Sequence, residues 1–421
     1  MEKQIKNTKS NYIWNAIGSC SSAASTIIFL LITNRILGGF YGGIMTIALA
    51  LGQQMYTVAN FETSIYYVTD GKNKITVETH FAAKLLLALS AVIIAVIVAS
   101  VRYDCYKLTC VILVCLYKIV DGISAFFYSV LQKHNRLDIA GKSLSYRVIS
   151  VLVSMLISQY ICNAIGLAKN TAFILSLVIM LICSIIFILT YELHFVRKFT
   201  KIEFCWEFNS LRKLIADCIP MFLGTFILTY ICNQPKYVID GMFGEEVQNS
   251  FGIVFIPAAV ICLLGFFIYR PLLIPLTNDY KNESYSSFIK TVVKLVVIIF
   301  GLTGICIAGA YLLGIPVLGF VYNIDLADYK SALCIGILGG GMYAVAVLLY
   351  NIISIMRKQR IMLLAYLISF AVSLVITKPM TRLYGVNGAV WAYVAANAVL
   401  AVLLGLIVII FIPKKNRKPA D

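Results

Sequence analysis

The sequence is dominated by long continuous runs of apolar residues, and these runs restrict what the chain can fold into. A helix needs about 20 apolar residues to cross the hydrocarbon core of a bilayer. Backbone groups in lipid must be satisfied internally, and the runs do not alternate as barrel strands would, so they predict helices. The sequence therefore predicts an all-α polytopic membrane protein with about twelve transmembrane helices. The twelve runs cover residues 13–34, 42–68, 85–101, 108–132, 148–166, 170–192, 214–235, 250–276, 295–313, 331–356, 361–377 and 386–412.

The overall composition excludes a soluble protein. Of 421 residues, 61% are hydrophobic and 13% are charged, whereas a soluble domain is about half apolar and a quarter charged. The net charge of +16 comes from short basic clusters between the apolar runs. Such clusters are typical of membrane topology signals, so the lipid bilayer is an expected partner and nucleic acid is not.

The distribution of lysine and arginine predicts the orientation. If the N-terminus is cytoplasmic, the segments on the inner side carry 25 of the 35 basic residues and the outer segments carry 8. Inner loops of membrane proteins are enriched in Lys and Arg. We therefore expect both termini on the cytoplasmic side, and an even number of spans.

The longest segment between runs divides the chain in half. We predict an N-terminal six-helix lobe over residues 1–193, a cytoplasmic linker over 194–213 and a C-terminal six-helix lobe over 214–421. Because six is even, both halves enter from the same side, which is the arrangement of a parallel repeat.

Signals for metals and cofactors are lacking in the sequence. The 12 cysteines include no CxxC pair and no cluster with histidine, so neither a zinc site nor a disulfide framework is indicated. No GxxxxGK[ST] motif for ATP occurs. We expect no cofactor.

Two charges, Lys118 and Asp121, lie in the middle of the fourth run. Each would cost about 2.5–3.5 kcal/mol if it faced lipid. With Ala125, Tyr128 and Gln132 they form one helical face, which therefore faces protein or water. Two interpretations stand: the pair neutralises itself and joins helices, or it belongs to a translocation pathway.

The second run carries a similar polar face. Glu62 points nearly opposite to that face and has a structural or a functional role. The shared face predicts a polar surface on this span. Its members are Gln53, Tyr56, Asn60, Ser64 and Tyr67.

Further polar residues occur where the seventh run ends. Tyr230, Asn233, Tyr237 and Asp240 share one side if the helix continues through Pro235. An ordinary helix end at the membrane interface explains the tyrosines equally well.

Arginines in the first and eighth runs complete the set. Arg270 is accompanied by Pro257, Pro271 and Pro275, which predict a bent helix of the kind that lines cavities. A snorkelling arginine is the alternative. Arg35 lies at the outer end of the first run.

Together these residues predict a substrate cavity with cations suited to an anionic group. Arginine is the better partner for a planar phosphate, and the tyrosines could stack on sugar rings. The predicted cavity residues are Arg35, Gln53, Asn60, Lys118, Asp121, Tyr128, Tyr230, Asn233 and Arg270.

The pattern of the whole chain resembles the O-antigen and capsule flippases of the multidrug/oligosaccharidyl-lipid/polysaccharide exporter superfamily. The resemblance is carried by the six-plus-six spans, by "CIPMFLGTF" early in the seventh run and by the turn "NRILGGFYGG". It is carried also by "YVIDGMFGEEVQNSFGIVFIPAAVI" and by "RLYGVNGAVWAYVAANAV" before the last span.

This resemblance implies a MATE-like exporter fold, V-shaped with two lobes, in the bacterial cytoplasmic (inner) membrane. The implied function is alternating-access transfer of undecaprenyl-pyrophosphate-linked oligosaccharide for surface polysaccharide biosynthesis, with other polysaccharide assembly proteins as partners. Arg35, Lys118 and Arg270 would be the cations, and Asp121 a partner or coupling acid. An ion gradient or the membrane potential would drive transport.

Two other functions are compatible with the sequence. A multidrug or organic-cation exporter of the same superfamily would use acids such as Asp121, Glu62 and Asp240. A membrane glycan polymerase would be an enzyme, but such enzymes carry a sizeable outer loop, and the largest loop here is predicted to be cytoplasmic. We therefore expect a protein that is not an enzyme.

Overall fold

The computed structural model describes residues 2–70, 75–200 and 206–412. Within these residues all regular secondary structure is helical. Ten helices in the described part are long and apolar enough to cross a membrane. This confirms the prediction of an all-α polytopic membrane protein.

The chain divides into two compact units. The N-terminal unit comprises Met1–Thr229 and Gly244–Asn249, and the C-terminal unit comprises Tyr230–Phe243 and Ser250–Asp421. The predicted linker, 194–213, lies within the N-terminal unit, and its residues 201–205 fall outside the described residues.

The N-terminal unit is built mainly from the first eight helices. Helix α1 packs along α6, α2 along α5, and α6 along α7. A π-helical turn, Ile188–Glu192, separates α7 from α8. The helices are α1 Glu2–Ile36, α2 Gly39–Asn60, α3 Thr63–Thr69, α4 Val77–Arg102, α5 Cys105–Lys133, α6 Leu137–Ala164, α7 Lys169–Phe187 and α8 Leu193–Val196.

The remaining helices follow in chain order. Helix α15 packs against α11, α13 and α16 within the C-terminal unit. The helices are α9 Phe208–Asp240, α10 Glu245–Val254, α11 Ile256–Tyr269, α12 Leu273–Lys281, α13 Tyr285–Gly309, α14 Ile315–Tyr322, α15 Lys330–Ile355 and α16 Gln359–Phe411.

The second predicted run is interrupted in the structure. Phe61 and Glu62 adopt left-handed conformations, with φ of 47° and 55°, and separate α2 from α3. The buried Lys84 of α4 donates hydrogen bonds at 3.0 Å to both the backbone oxygen and Oδ1 of Asn60. A left-handed non-glycine residue is costly, and this ammonium satisfies a carbonyl that the broken helix leaves open.

The last two predicted runs form one helical stretch with a break. Helix α16 contains Gly385, whose φ of 58° and ψ of −141° are not helical. Only glycine adopts this combination without strain. The break lies where the sequence places the turn between runs 361–377 and 386–412.

Other helices differ from the sequence limits. Helix α9 continues through Pro235 to Asp240, so this proline does not end it. The eighth run is divided by a short 3₁₀ segment, Arg270–Leu272, between α11 and α12. Helix α6 begins at Leu137 rather than at residue 148, which places Arg147 within a helix rather than in a loop.

Candidate functional site

A polar cavity lies inside the N-terminal unit, among α1, α2, α5 and α6 and the π-helical turn. Its volume is about 400 Å³, which is within the usual range for small-molecule sites. Its polar lining consists of serine, glutamine and tyrosine side chains and of four charged side chains. The polar and charged lining residues are Ser19, Ser22, Gln53, Tyr56, Lys118, Asp121, Ser124, Tyr128, Ser143, Arg147 and Glu192.

Four charged side chains form a continuous network in this cavity. The Lys118 Nζ lies 3.4 Å from Oδ2 of Asp121, and the other oxygen, Oδ1, lies 2.8 Å from NH1 of Arg147. The Nε of Arg147 is in turn 3.5 Å from Oε1 of Glu192. The guanidinium thus bridges two carboxylates. We call these four residues the charged network.

The network is withdrawn from bulk solvent. The side chains of Arg147 and Glu192 are each 4% exposed, and that of Lys118 is 10% exposed. Ser143 donates a hydrogen bond of 3.0 Å to Oε1 of Glu192. Isolated buried charges are very costly, so the observed pairing explains how four of them coexist in a membrane-spanning unit.

The local geometry of α7 explains the position of Glu192. This residue ends the π-helical turn Ile188–Glu192. Such turns are rare and frequently mark functional sites. A π-helical turn contains about one residue more than an α-helical turn, so this turn shifts the register of the helix where Glu192 approaches Arg147.

Neutral polar groups complete the wall of the cavity. Tyr128 donates a hydrogen bond to Oδ1 of Asn15 on α1. Gln53 and Tyr56 of α2 face the same space. Amide, hydroxyl and aromatic groups beside paired charges could bind a ligand that is both polyhydroxylated and charged.

Four of the nine residues predicted from sequence are brought together here: Gln53, Lys118, Asp121 and Tyr128. Asn60 lies in the same unit but binds Lys84 at the break between α2 and α3. The shared polar face predicted for the second run is therefore divided by that break.

Arg35 lies elsewhere in the N-terminal unit and is exposed at the end of α1. Its neighbour Asn34 is buried and exchanges two side-chain hydrogen bonds with Asn249, of 3.0 and 2.6 Å. Arg35 is not among the cavity-lining residues.

The other three predicted residues belong to the C-terminal unit. The ring of Tyr230 lies 5.4 Å from that of Tyr237, and Asn233 accepts a hydrogen bond of 3.4 Å from Lys236. Arg270 is exposed, with its guanidinium 4.8 Å from the ring centroid of Phe266.

Sequence reasoning missed half of the charged network. The fifth predicted run begins at residue 148, so the sequence places Arg147 just outside a span, and Glu192 is the last residue of the sixth predicted run, 170–192. The available signal was weak: small and polar residues precede Arg147, including Gly141, Ser143 and Ser145. Such residues are typical of packed membrane helices rather than of a basic loop.

The network limits what the cavity can bind. It contains two cations and two carboxylates, so an anionic ligand has to compete with Asp121 and Glu192 for Lys118 and Arg147. A cationic ligand would have to compete with Lys118 and Arg147 for Asp121 and Glu192. A ligand of either charge would therefore have to replace an internal ion pair.

Comparisons with known proteins show similarity only among solved structures. No protein-family model matches the chain, and no curated protein matches it. A multidrug resistance MATE family transporter of the MOP superfamily, in an inward-facing conformation, aligns with 94% of this chain and 94% of its own. The identity is 13% and the TM-score is 0.65.

Two further structures are similar over most of their length. The lipid II flippase MurJ, in an inward closed conformation, covers 93% of this chain and 87% of its own, with 14% identity and a TM-score of 0.66. A MOP superfamily transporter from Pyrococcus furiosus covers 97% and 95%, with 15% identity and a TM-score of 0.56. The chain therefore has the fold that MATE and MOP superfamily transporters share, and it is a multi-pass membrane protein.

Proposed function

We propose that this protein is a flippase that moves a polyprenyl-pyrophosphate-linked oligosaccharide across the bacterial cytoplasmic membrane by alternating access, for surface polysaccharide biosynthesis. The observation that carries the proposal is the charged network inside the polar cavity of the N-terminal unit. A fold shared with transporters, one of them a lipid II flippase, supports it.

The cations of the network suit a pyrophosphate. Arg147 offers a planar fork for bidentate contacts to phosphate oxygens, and Lys118 offers a compact charge. A pyrophosphate carries at least two negative charges, whereas each carboxylate carries one, so this headgroup would compete with Asp121 and Glu192 for the two cations. The hydroxyl and amide groups of Tyr128 and Gln53 would contact the sugars.

The carboxylates provide a means of coupling to an ion gradient. When a phosphate binds the cations, Asp121 and Glu192 lose their partners and become free to bind a proton or another cation. Exchange between these two states would link substrate movement to ion movement, without a cofactor.

A deletion strain provides the direct test of this function. Loss of the gene should make lipid-linked oligosaccharide accumulate on the cytoplasmic face while its synthesis continues. A gene that encodes Lys118→Glu should fail to restore surface polysaccharide to the deletion strain, although the amount of the protein in the membrane is unchanged. Lys118→Arg should restore it in part. The matched control is Lys378→Glu at an exposed lysine in α16. Normal surface polysaccharide in a deletion strain without a redundant flippase would reject the proposal.

A second candidate function is export of organic cations. The specific observation in its favour is the presence of Asp121 and Glu192 in the same cavity, because buried acids attract cationic drugs. This candidate predicts that the deletion strain becomes more sensitive to cationic drugs and keeps its surface polysaccharide. The flippase predicts the reverse pair of results.

A further inference from the structure

A long apolar groove runs along the C-terminal unit, separate from the polar cavity. It is formed by α13, α15 and the part of α16 that follows Gly385, and its volume is about 1220 Å³. Its walls include Val293, Val297 and Phe300 of α13, Leu349 of α15, and Val402 and Ile409 of α16.

One end of the groove is polar. The segment Glu283–Ser287 lines it there, with one carboxylate, three serines and a tyrosine, and Ser287 donates a hydrogen bond of 2.9 Å to the carboxylate of Asp279. Ile412, just beyond α16, also lines the groove, and Lys358 lies beside this end of α16, with Nζ 5.3 Å from the ring centroid of Phe411. The groove is thus amphipathic, with its polar groups at one end.

Two exposed lysines flank this end. Lys290 of α13 lies one turn from Ser286, Ser287 and Val293, which all line the groove, and residues three or four apart are neighbours on a helix. Lys358 lies between the end of α15 and the start of α16, beside the ring of Phe411. Basic residues at the membrane surface attract anionic headgroups by about 1 kcal/mol each.

The apolar part has the length of one leaflet. Residues 289–300 of α13 line it, and at 1.5 Å per residue they extend for about 17 Å. Half of the hydrocarbon core measures about 15 Å. The acyl chains of one phospholipid fit this length, whereas a longer polyisoprenoid chain would continue past the groove.

We propose that this groove binds an anionic phospholipid from the leaflet on the Glu283–Ser287 side. Its acyl chains lie between α13 and α16, and its phosphate lies near Lys290 and Lys358. Ser284 and Ser286 of the segment hydrogen-bond the headgroup. This site stands whether or not the protein is a flippase, because none of its residues belongs to the charged network.

The test measures lipid binding to the purified full-length protein by native mass spectrometry. Phosphatidylglycerol should bind more tightly than phosphatidylethanolamine of the same acyl chains. Lys290→Gln and Lys358→Gln should each weaken phosphatidylglycerol binding about fivefold. Ala398→Phe, which places a ring in the groove, should weaken binding of both lipids.

Matched controls are Lys378→Gln, an exposed lysine that does not line the groove, and Val375→Phe on the exposed face of α16. Neither should alter binding. Equal binding of the two phospholipids, or binding insensitive to both lysine substitutions, would overturn the proposal. Tighter binding of undecaprenyl phosphate than of phosphatidylglycerol, lost in Ala398→Phe, would also overturn it and assign the groove to a polyprenyl lipid.

Discussion

Removal of Arg147 should destabilise the N-terminal unit through the acids that it leaves behind. With an effective dielectric constant of about 20, opposite charges 2.8 Å apart attract by about 6 kcal/mol, and those 3.5 Å apart by about 5 kcal/mol. Desolvation of the buried ions offsets much of this attraction. Breaking a buried pair from one side nevertheless costs about 3–5 kcal/mol, because the partner is left charged and unpaired.

The expected results differ between the two partners. Arg147→Gln leaves Glu192 without a cation and should lower the free energy of unfolding by about 3–5 kcal/mol. Glu192→Gln should cost less, because Arg147 keeps Asp121 at 2.8 Å. The double substitution should be less harmful than the sum of the two by about 1–3 kcal/mol, since it removes the stranded carboxylate.

The assay is reversible denaturant unfolding of the full-length protein in lipid–detergent micelles, analysed as a double-mutant cycle. Arg102→Gln is the matched control at an exposed arginine and should change the free energy of unfolding by less than about 0.5 kcal/mol. If Arg147→Gln matches that control, or if the cycle is additive, the ion pairs are not a buried network.

Three further substitutions test other parts of the structure. Lys84→Met should lower the free energy of unfolding by about 1–3 kcal/mol, because the two oxygens of Asn60 lose their hydrogen-bond donor. An unchanged free energy of unfolding, together with unchanged amide hydrogen exchange at the break between α2 and α3, would contradict this. Gly141→Ala should destabilise by about 1–3 kcal/mol in the same assay, because its Cβ would collide with the backbone oxygen of Trp14 on α1. Gly301→Ala meets open space and should be neutral. Equal effects of the two substitutions would refute the close packing of α1 and α6. Asp121→Asn should tighten binding of undecaprenyl pyrophosphate about tenfold, measured by titration in micelles, and weaker binding would show that the carboxylate does not compete with phosphate.

The helical membrane fold could be predicted from the sequence because each helix that crosses a bilayer needs a continuous run of about 20 apolar residues, which is visible locally in the sequence. Each predicted run lies in helical structure, although breaks divide the runs 42–68 and 250–276 and the last two runs share α16. Helix starts were less predictable, because a helix can extend beyond the apolar part of its sequence. Helix α6 does so by about three turns, and this extension is what brings Arg147 into the cavity.

The charged residues of the site were predictable only where a charge interrupts an apolar run. Lys118 and Asp121 do so, and their helical spacing correctly places both on one face with Tyr128. Glu192 and Lys84 lie at the ends of runs, where a charge is ordinary. Their partners are distant in sequence, 45 residues for Arg147 and Glu192 and 24 for Lys84 and Asn60, and no local pattern reports such a contact.

The most direct measurement of the central claim is the rate at which a labelled undecaprenyl-pyrophosphate-linked oligosaccharide crosses the bilayer of proteoliposomes that contain only this protein. The charged network predicts that the wild-type protein moves the lipid between leaflets and that Lys118→Glu, inserted in equal amount, does not. Transfer at the wild-type rate by Lys118→Glu combined with Arg147→Gln would contradict the assignment of the cavity as the phosphate site.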